Sequence, residues 1–308
     1  MLRSKIKNGL SALKPNPFDR QLKKLAREGK ERILIFWNRG LGDIPLGLYA
    51  FVMRIRFYIP DAQITFMTRS DLEEGFKLLD KVQVIVRKDW KRGEAISLEV
   101  GFEEGKAFDL VIEKPDPTRW LRWQLGKVVP QLSWQQKWDQ LSERFELDPN
   151  ETYIGCHVQT ETERFYGYEK NWSPPNWHAL FTQIRERKKG KILLFGLSKK
   201  EQFEGDGVID LRGETTLLEM VALIKNRCSY LIAPDSGILS LIYYIKADFP
   251  LKVVSLWSDP KQGILKQNVA SPNSALTHLP LIGKKENVDS ISVKTLYHAL
   301  FGEEDASP

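Results

Sequence analysis

Apolar residues fall along this chain in short continuous runs that alternate with helical stripes. Arg32–Trp37 (RILIFW) is an apolar run that ends in Asn38-Arg39-Gly40-Leu41-Gly42-Asp43, the pattern of a buried strand entering a glycine turn. Leu46, Tyr49, Ala50 and Met53 then recur at i, i+3, i+4 and i+7, which predicts a helix with those residues on its buried face. Short strands are predicted over 63–67, 82–86 and 109–112, with a helix over 71–79. After the polar stretch Leu147-Asp148-Pro149-Asn150-Glu151 a second series begins, with strands over 153–158, 191–195, 230–233 and 251–256. Pro174 and Pro175 open a helix whose Trp177, Leu180, Phe181 and Ile184 share a face, and Thr216-Leu-Leu-Glu219 is a capping box ahead of another. Further helices are expected over 238–245 and along Val293, Leu296, Tyr297 and Leu300. Alternation of this kind predicts the α/β class with two mostly parallel sheets. The expected organisation is a basic arm over 1–30, one domain over 31–148, a second over 149–290, and a last helix with an acidic tail over 291–308.

Composition changes this picture in one respect. With 308 residues, 42% of them hydrophobic and 28% charged, the chain suits two soluble α/β domains, and no apolar run is long enough to span a bilayer. The net charge of +6 is unevenly placed: residues 1–30 hold nine Lys/Arg against Asp19 and Glu28, net +7, and the other 278 residues total −1. An arm so charged suits an anionic membrane surface; a solvated extension is the second reading, and nucleic-acid contact the weakest. Cys156 and Cys228 have no CxxC spacing, which suggests a reducing cytoplasm. The four histidines show no metal-ligand spacing, and neither a GxSxG elbow nor a GxxxxGK[ST] loop is present.

Two turns carry candidate chemistry. In open parallel sheets ligands bind at the carboxyl ends of strands. The glycines of Arg39-Gly40-Leu41-Gly42-Asp43 permit close approach to a ligand, and Asp43 either caps the helix that follows or acts as a catalytic base. A dinucleotide fingerprint fails there because Pro45 stands where the third glycine is needed. The second turn, Ala233-Pro234-Asp235-Ser236-Gly237, leads into an apolar helix, and a helix N-terminus is a natural phosphate seat. Asp235 and Ser236 serve equally as ordinary caps. Lys170, and Lys199 in Gly196-Leu-Ser-Lys199-Lys200-Glu201, lie on the same expected edge and are either diphosphate contacts or surface lysines. Trp120, Trp123, Trp134 and Trp138 suit packing first and contact with an amphiphilic acceptor second.

Taken in order, Arg39-Gly-Leu-Gly-Asp43, Phe108-Asp-Leu-Val-Ile112, Lys170-Asn-Trp172, Leu194-Phe-Gly196 with Lys199, Asp210-Leu-Arg-Gly213 and Ala233-Pro-Asp-Ser-Gly237 resemble glycosyltransferase family 9, the ADP-heptose:lipopolysaccharide heptosyltransferases. The resemblance runs from about residue 31 to residue 245. It implies a GT-B fold, two Rossmann-like domains facing across a cleft, with the donor bound mainly by the second and the acceptor mainly by the first. It further implies an inverting, metal-independent transfer without a cofactor, in which Asp43 is the general base, Lys170 meets the donor phosphates, and Asp235, Ser236 and Gly237 seat the diphosphate. Lys199 and Glu201 fall in the stretch used around the nucleotide, and Gly40 and Gly42 in the glycine turn near the substrates. The chain departs from the family pattern at Ser240, where a histidine is common, and at Phe165-Tyr166-Gly167, where small hydroxylic residues are common.

The implied partners are a nucleotide-sugar donor, ADP-heptose first, a lipid-linked saccharide acceptor, and an anionic membrane touched by residues 1–30. The implied place is the cytoplasm, peripheral at the inner face of the membrane. Two alternatives stand beside this: a GT-B enzyme with another donor or an epimerase activity, and a non-catalytic binding protein of the same fold.

Overall fold

A computed structural model describes residues 16–95, 107–121, 124–160 and 169–302. They form two compact units, one from residues 16–39 and 47–124, the other from residues 40–46 and 125–302. The glycine turn thus belongs to the second unit, and the chain passes to that unit at Leu125, earlier than the polar stretch at 147–151 suggested. The reason is local. Leu132–Ser133 pairs in parallel with Ile245–Lys246, and Asp139 in the 3-10 segment Gln136–Phe145 binds the Lys225 ammonium at 2.8 Å. Trp138 of this segment and Trp134 just before it pack edge to face, with ring centroids 5.2 Å apart; Trp123 lies outside the described residues. The polar stretch is only the turn that enters the next strand.

The first unit is built on β1 (Arg32–Trp37), β2 (Gln63–Thr68), β3 (Val82–Val86) and β4 (Leu110–Ile112). All are parallel, in the order β3-β2-β1-β4. Five successive residues of β1, Ile33 to Trp37, are buried, as a central parallel strand covered on both faces requires. Helix α1 (Pro17–Arg27) lies in the stretch expected to be a separate arm; residues 1–15 of that arm lie outside the described residues. Asn16 caps it by accepting from the Phe18 amide, Pro17 occupies the first turn, and Phe18, Leu22 and Leu25 are buried. Phe18 stacks on Phe51 of α2 (Tyr49–Tyr58) with ring centroids 4.4 Å apart, and Trp120 stacks on both. Arg54 of α2 holds Asp19 of α1 through two hydrogen bonds, at 2.5 and 2.8 Å. Two short helices, α3 (Glu73–Phe76) and α4 (Pro117–Trp120), also belong to this unit.

A π-helical turn over Ile44–Leu48 precedes α2 and shifts its phase. The faces expected from Leu46, Tyr49, Ala50 and Met53 are therefore displaced: Ala50, Phe51, Val52 and Ile55 are buried, and Met53 is 45% exposed.

The second unit holds a two-stranded sheet, β5 (Leu132–Ser133) with β10 (Ile245–Lys246), and a six-stranded parallel sheet. The large sheet comprises β6 (Tyr153–His157), β7 (Lys191–Phe195), β8 (Val208–Asp210), β9 (Cys228–Pro234), β11 (Leu251–Trp257) and β12 (Leu276–Ile282), in the order β12-β11-β9-β6-β7-β8. Its core includes Ile154, Cys156, Leu194, Ile232 and Val254 from the strands, with α5 (Pro174–Glu186) and the last helix, α9 (Val293–Phe301). That helix, expected to stand apart with the tail, is part of this core through Leu296, Tyr297 and Leu300; residues 303–308 lie outside the described residues. Between them run α6 (Leu217–Arg227), with the predicted capping box of Thr216 and Glu219 in place, α7 (Gly237–Tyr244) and α8 (Gly263–Gln267).

Leu22 is fully buried at the seat of α1, so Leu22→Ala should cost about 2–5 kcal/mol of stability in the first unit by cavity formation. Urea denaturation followed by far-UV circular dichroism checks it; no change in midpoint would mean that α1 is not docked.

Candidate functional site

Both candidate turns lie in the second unit, and they touch. Gly42 approaches the first residue of α7 so closely that a Cβ on Gly42 would stand 3.3 Å from the Gly237 Cα. A Cβ on Gly237 would stand 2.8 Å from the Leu41 Cβ and 3.0 Å from the Gly42 amide nitrogen. The glycines serve this meeting of two backbones. Within the turn the Asp43 carboxylate accepts from the Gly40 amide at 3.1 Å, which bends it back over the loop, and the Asp43 amide donates to the Gly40 carbonyl. Asp43 is half-buried.

The second turn follows β9. Ser236 takes an extended backbone and its hydroxyl accepts from the Leu239 amide at 3.2 Å, so it is the N-cap of α7. Both readings of the sequence meet here, because a capped helix start is also where the amides and the dipole favour an anion. Ser240, one turn on, is buried; its hydroxyl donates to the Ser236 carbonyl and lies 3.5 Å from the position of a Gly42 Cβ. With the glycine turn packed so close, a small side chain at 240 is the one that fits.

Asp235 is buried and its Oδ2 takes a 2.6 Å hydrogen bond from Lys170 Nζ, itself only 7% exposed. On the other side, Asp235 Oδ1 would lie 2.5 Å from a Cβ on Gly263, a residue whose φ of +48° also favours glycine. Lys170 is held from both flanks. The Ser258 hydroxyl donates to the Glu169 carbonyl, and Asn171 is bound twice to the Thr160 backbone, accepting from its amide at 2.7 Å and donating to its carbonyl at 3.3 Å. The structure therefore brings Leu41 and Gly42 of the first turn against Gly237 and Ser240 of the second, with Asp43 next in the chain on one side and the Lys170–Asp235 pair next to Ser236 on the other. Phe165-Tyr166-Gly167 lie outside the described residues.

Lys199 and Glu201 are placed differently. They follow β7, two strands from β9 in the sheet order, and are exposed. Lys199 is bound to Glu214 at 2.5 Å, and the Glu201 carbonyl accepts from Arg212 at 2.7 Å. Arg212 was not singled out by sequence, yet it is 1% exposed and grips Asp210 through two side-chain hydrogen bonds. Burial works to raise the Asp210 carboxyl, and the Arg212 bonds more than offset it, so its pKa lies below the usual value.

His157 is a second residue that sequence spacing missed. It ends β6 directly opposite Phe195 at the end of β7, is buried, and its Nδ1 has no hydrogen-bond partner among the described residues. Burial alone pushes its pKa down to about 4, so the ring is neutral at pH 7.

The first unit has its own depression at the carboxyl ends of β1 and β4. It measures about 140 Å³ and is lined in part by Trp37, Asn38, Arg39, Trp90, Glu94 and Lys114. Buried Asn38 shapes its wall by donating to the carbonyls of Lys91 and Glu94 at 2.9 and 2.7 Å, and the Arg39 guanidinium lies 5.8 Å over the Trp37 ring. Among the described residues, no group of His, Cys, Asp and Glu is arranged to hold a metal ion, and no helix is long and apolar enough to cross a membrane.

No protein-family model and no curated protein sequence matches the chain. Solved structures do. The family 9 glycosyl transferase from Veillonella parvula aligns with a TM-score of 0.58 at 16% identity, over 88% of this chain and 96% of that one. The E. coli heptosyltransferase WaaC with ADP aligns at 0.51 and 13%, over 87% and 98%. The iron-containing dodecameric glycosyltransferase TibC from enterotoxigenic E. coli aligns at 0.50 and 13%, over 88% of this chain and 75% of that one. The chain thus shares the two-unit parallel α/β fold of these glycosyltransferases, as the sequence resemblance implied.

Because His157 must gain a proton on unfolding in mild acid, its share of stability is present above pH 6.5 and is lost as pH falls toward 4. Between pH 7 and 4.5 this group should account for about 2–3 kcal/mol of lost stability, at roughly 1.4 kcal/mol for each tenfold difference in proton affinity between the folded and unfolded chain. The His157→Gln variant should show that much less acid sensitivity in paired urea titrations; parallel pH profiles for both proteins would refute it.

Proposed function

We propose that this protein is an inverting glycosyltransferase that moves a sugar, heptose from ADP-heptose first, onto a lipid-linked saccharide of the lipopolysaccharide-core type at the inner face of the membrane. The observation that carries the proposal is the contact between the Gly40–Asp43 turn and the capped start of α7. It packs the turn that carries Asp43 against a capped helix N-terminus, the kind of element that suits a diphosphate.

The chemistry follows from where charge moves. As the bond between the anomeric carbon and the diphosphate oxygen breaks, negative charge collects on the leaving group, and donors fixed in advance at that place lower the barrier. The α7 amides and Ser236 are such donors. A lysine ammonium carries three N–H donors. The 2.6 Å contact with Asp235 fixes the direction of Lys170 at the turn. The acceptor hydroxyl attacks the opposite face of the anomeric carbon and loses its proton to a carboxylate in hydrogen-bonding reach, the role assigned to Asp43. Attack from that face inverts the configuration. No metal or cofactor is called on in these steps. Lys199 and Glu201, bordering Arg212, are assigned to the nucleotide side, and the Trp37 and Trp90 depression of the first unit suits a saccharide acceptor, whose C–H faces pack on indole rings.

The fold likeness and the ordered motifs support this proposal, as does the ADP carried by the structure of WaaC. Asp43→Asn should lower kcat by about 10²–10⁴-fold with little change in the donor KM, whereas Ser236→Ala should chiefly raise that KM. The measurement is mass and anomeric configuration of the product from ADP-heptose and a core-saccharide acceptor, together with thermal shifts by ADP, UDP and GDP. Equal turnover by Asp43→Asn removes Asp43 as base. An isomerised sugar formed without acceptor points to the epimerase alternative, and the absence of any turnover with retained nucleotide binding points to the non-catalytic one.

A further inference from the structure

Of the nine cations over 1–30, the five among the described residues, Arg20, Lys23, Lys24, Arg27 and Lys30, sit on a folded surface, and an exposed apolar group stands beside them. On α1, Phe18, Leu22 and Leu25 face the core, so Arg20, Lys23, Lys24 and Arg27, at i, i+3, i+4 and i+7, form a stripe on the opposite, exposed side. Lys23 Nζ lies 5.6 Å over the Tyr58 ring of α2, which makes the two helices one continuous surface. On α2 the neighbouring Phe57 is 70% exposed and Met53, one turn before it, 45% exposed. Phe57 stands edge-on to Tyr58 at 5.0 Å, and the Arg54 guanidinium lies within 5.4 Å of both ring centroids while its other side holds Asp19. Glu28 is paired with Lys24 and Lys30 at the end of α1.

We infer that this joint face of α1 and α2 is a docking surface for an anionic lipid bilayer, with the α1 stripe lying against the headgroups and Phe57 and Met53 entering the interface. Charge complementarity selects this occupant. Cations interleaved with exposed aromatic and thioether side chains match the two attractions that hold a protein at a membrane surface, apolar burial at the acyl boundary and Coulomb attraction to acidic headgroups. What sets Phe57 apart from the other exposed apolar side chains is its place beside this cationic surface, with Arg54 against its ring and Tyr58, under Lys23, next to it. The inference does not depend on the donor site: vesicle binding needs neither nucleotide nor turnover.

Flotation of the full-length protein with vesicles of phosphatidylcholine alone, and of phosphatidylcholine containing phosphatidylglycerol, tests it. Binding should require the anionic lipid and weaken with salt. Reversal of the stripe by Arg20→Glu, Lys23→Glu and Arg27→Glu together should reduce the partition coefficient by at least about 100-fold, from about tenfold per 1.4 kcal/mol and on the order of 1 kcal/mol per charge removed. Phe57→Ser should reduce it by about tenfold while leaving the salt dependence in place. Since Cys156 and Cys228 are both buried, Phe57→Cys labelled with an environment-sensitive dye reports insertion directly, as a blue shift on anionic vesicles only. Wild-type vesicle binding by both the charge-reversed and the Phe57→Ser proteins, or no shift of the label, overturns the inference. So does self-association abolished by Phe57→Ser in a protein that does not bind vesicles.

Discussion

Two backbones come into van der Waals contact only where neither carries a side chain at the point of contact, and the candidate site rests on one such meeting. Gly42 and Gly237 lie so close that an alanine at 237 would put its Cβ 2.8 Å from that of Leu41. The demand is steric, since either residue could relax its φ and still find the space filled. It explains why a turn that leaves β1 is counted with the second unit, and why Asp43 is held near the start of α7 by the chain itself. The π-turn over Ile44–Leu48 belongs to the same constraint. It takes up the path between that contact and α2, and Gly47 in it meets Pro117 at a distance that excludes a Cβ.

Beside this contact, a buried charge pair sets direction more than stability. Taking a carboxylate and an ammonium out of water costs several kcal/mol each, and their attraction repays this only with good geometry and added hydrogen bonds. Lys170 and Asp235 have both: a 2.6 Å bond, with the lysine's neighbours tied to Thr160 and Ser258. Such a pair is a weak source of folding energy and a strong source of orientation. His157, neutral and buried at the end of the adjacent strand, follows the opposite rule, since a group that cannot find a partner loses its charge instead.

Much of the fold was legible in the sequence because parallel strands buried on both faces read as continuous apolar runs. RILIFW, KILLF and LKVVSLW announce β1, β7 and β11 almost to the residue. The edges of the first unit's sheet, β3 and β4, were predicted as well, whereas the edges of the larger sheet, β8 and β12, were not. β12 carries Thr277, His278 and Pro280 in a mixed pattern, and a proline is tolerated there because an edge strand leaves one row of amides unpaired with the sheet. Helix α1 was hidden by its own charge, with three apolar residues spaced among five cations over 16–30. The α2 face was misread because periodicity assumes 3.6 residues per turn and the entry is wider. Motif order proposed Asp43, Lys170 and Asp235 to Gly237, and the fold packs the turn ending in Asp43 against Gly237 and pairs Lys170 with Asp235. Arg212 entered only inside the motif Asp210-Leu-Arg-Gly213 and His157 only as one of four histidines, since what marks each of them is burial, and burial is set by the surrounding fold.

The docked state of α1 changes what its charge can do. A flexible cationic arm raises the local concentration of a protein at an acidic surface, but it leaves the body free to tumble. A helix held by Phe18, Leu22 and Leu25, and locked by the Asp19–Arg54 bonds, transmits its preferred direction to the whole first unit. For a transferase acting on a lipid-linked saccharide, orientation is the quantity that matters, because a fixed geometry between enzyme and acceptor replaces part of the entropy that the reaction would otherwise lose. The exposed Phe57 then has a physical reason. Charge alone attracts a protein to a surface at long range and in many poses, and an apolar side chain that must leave water selects one of them.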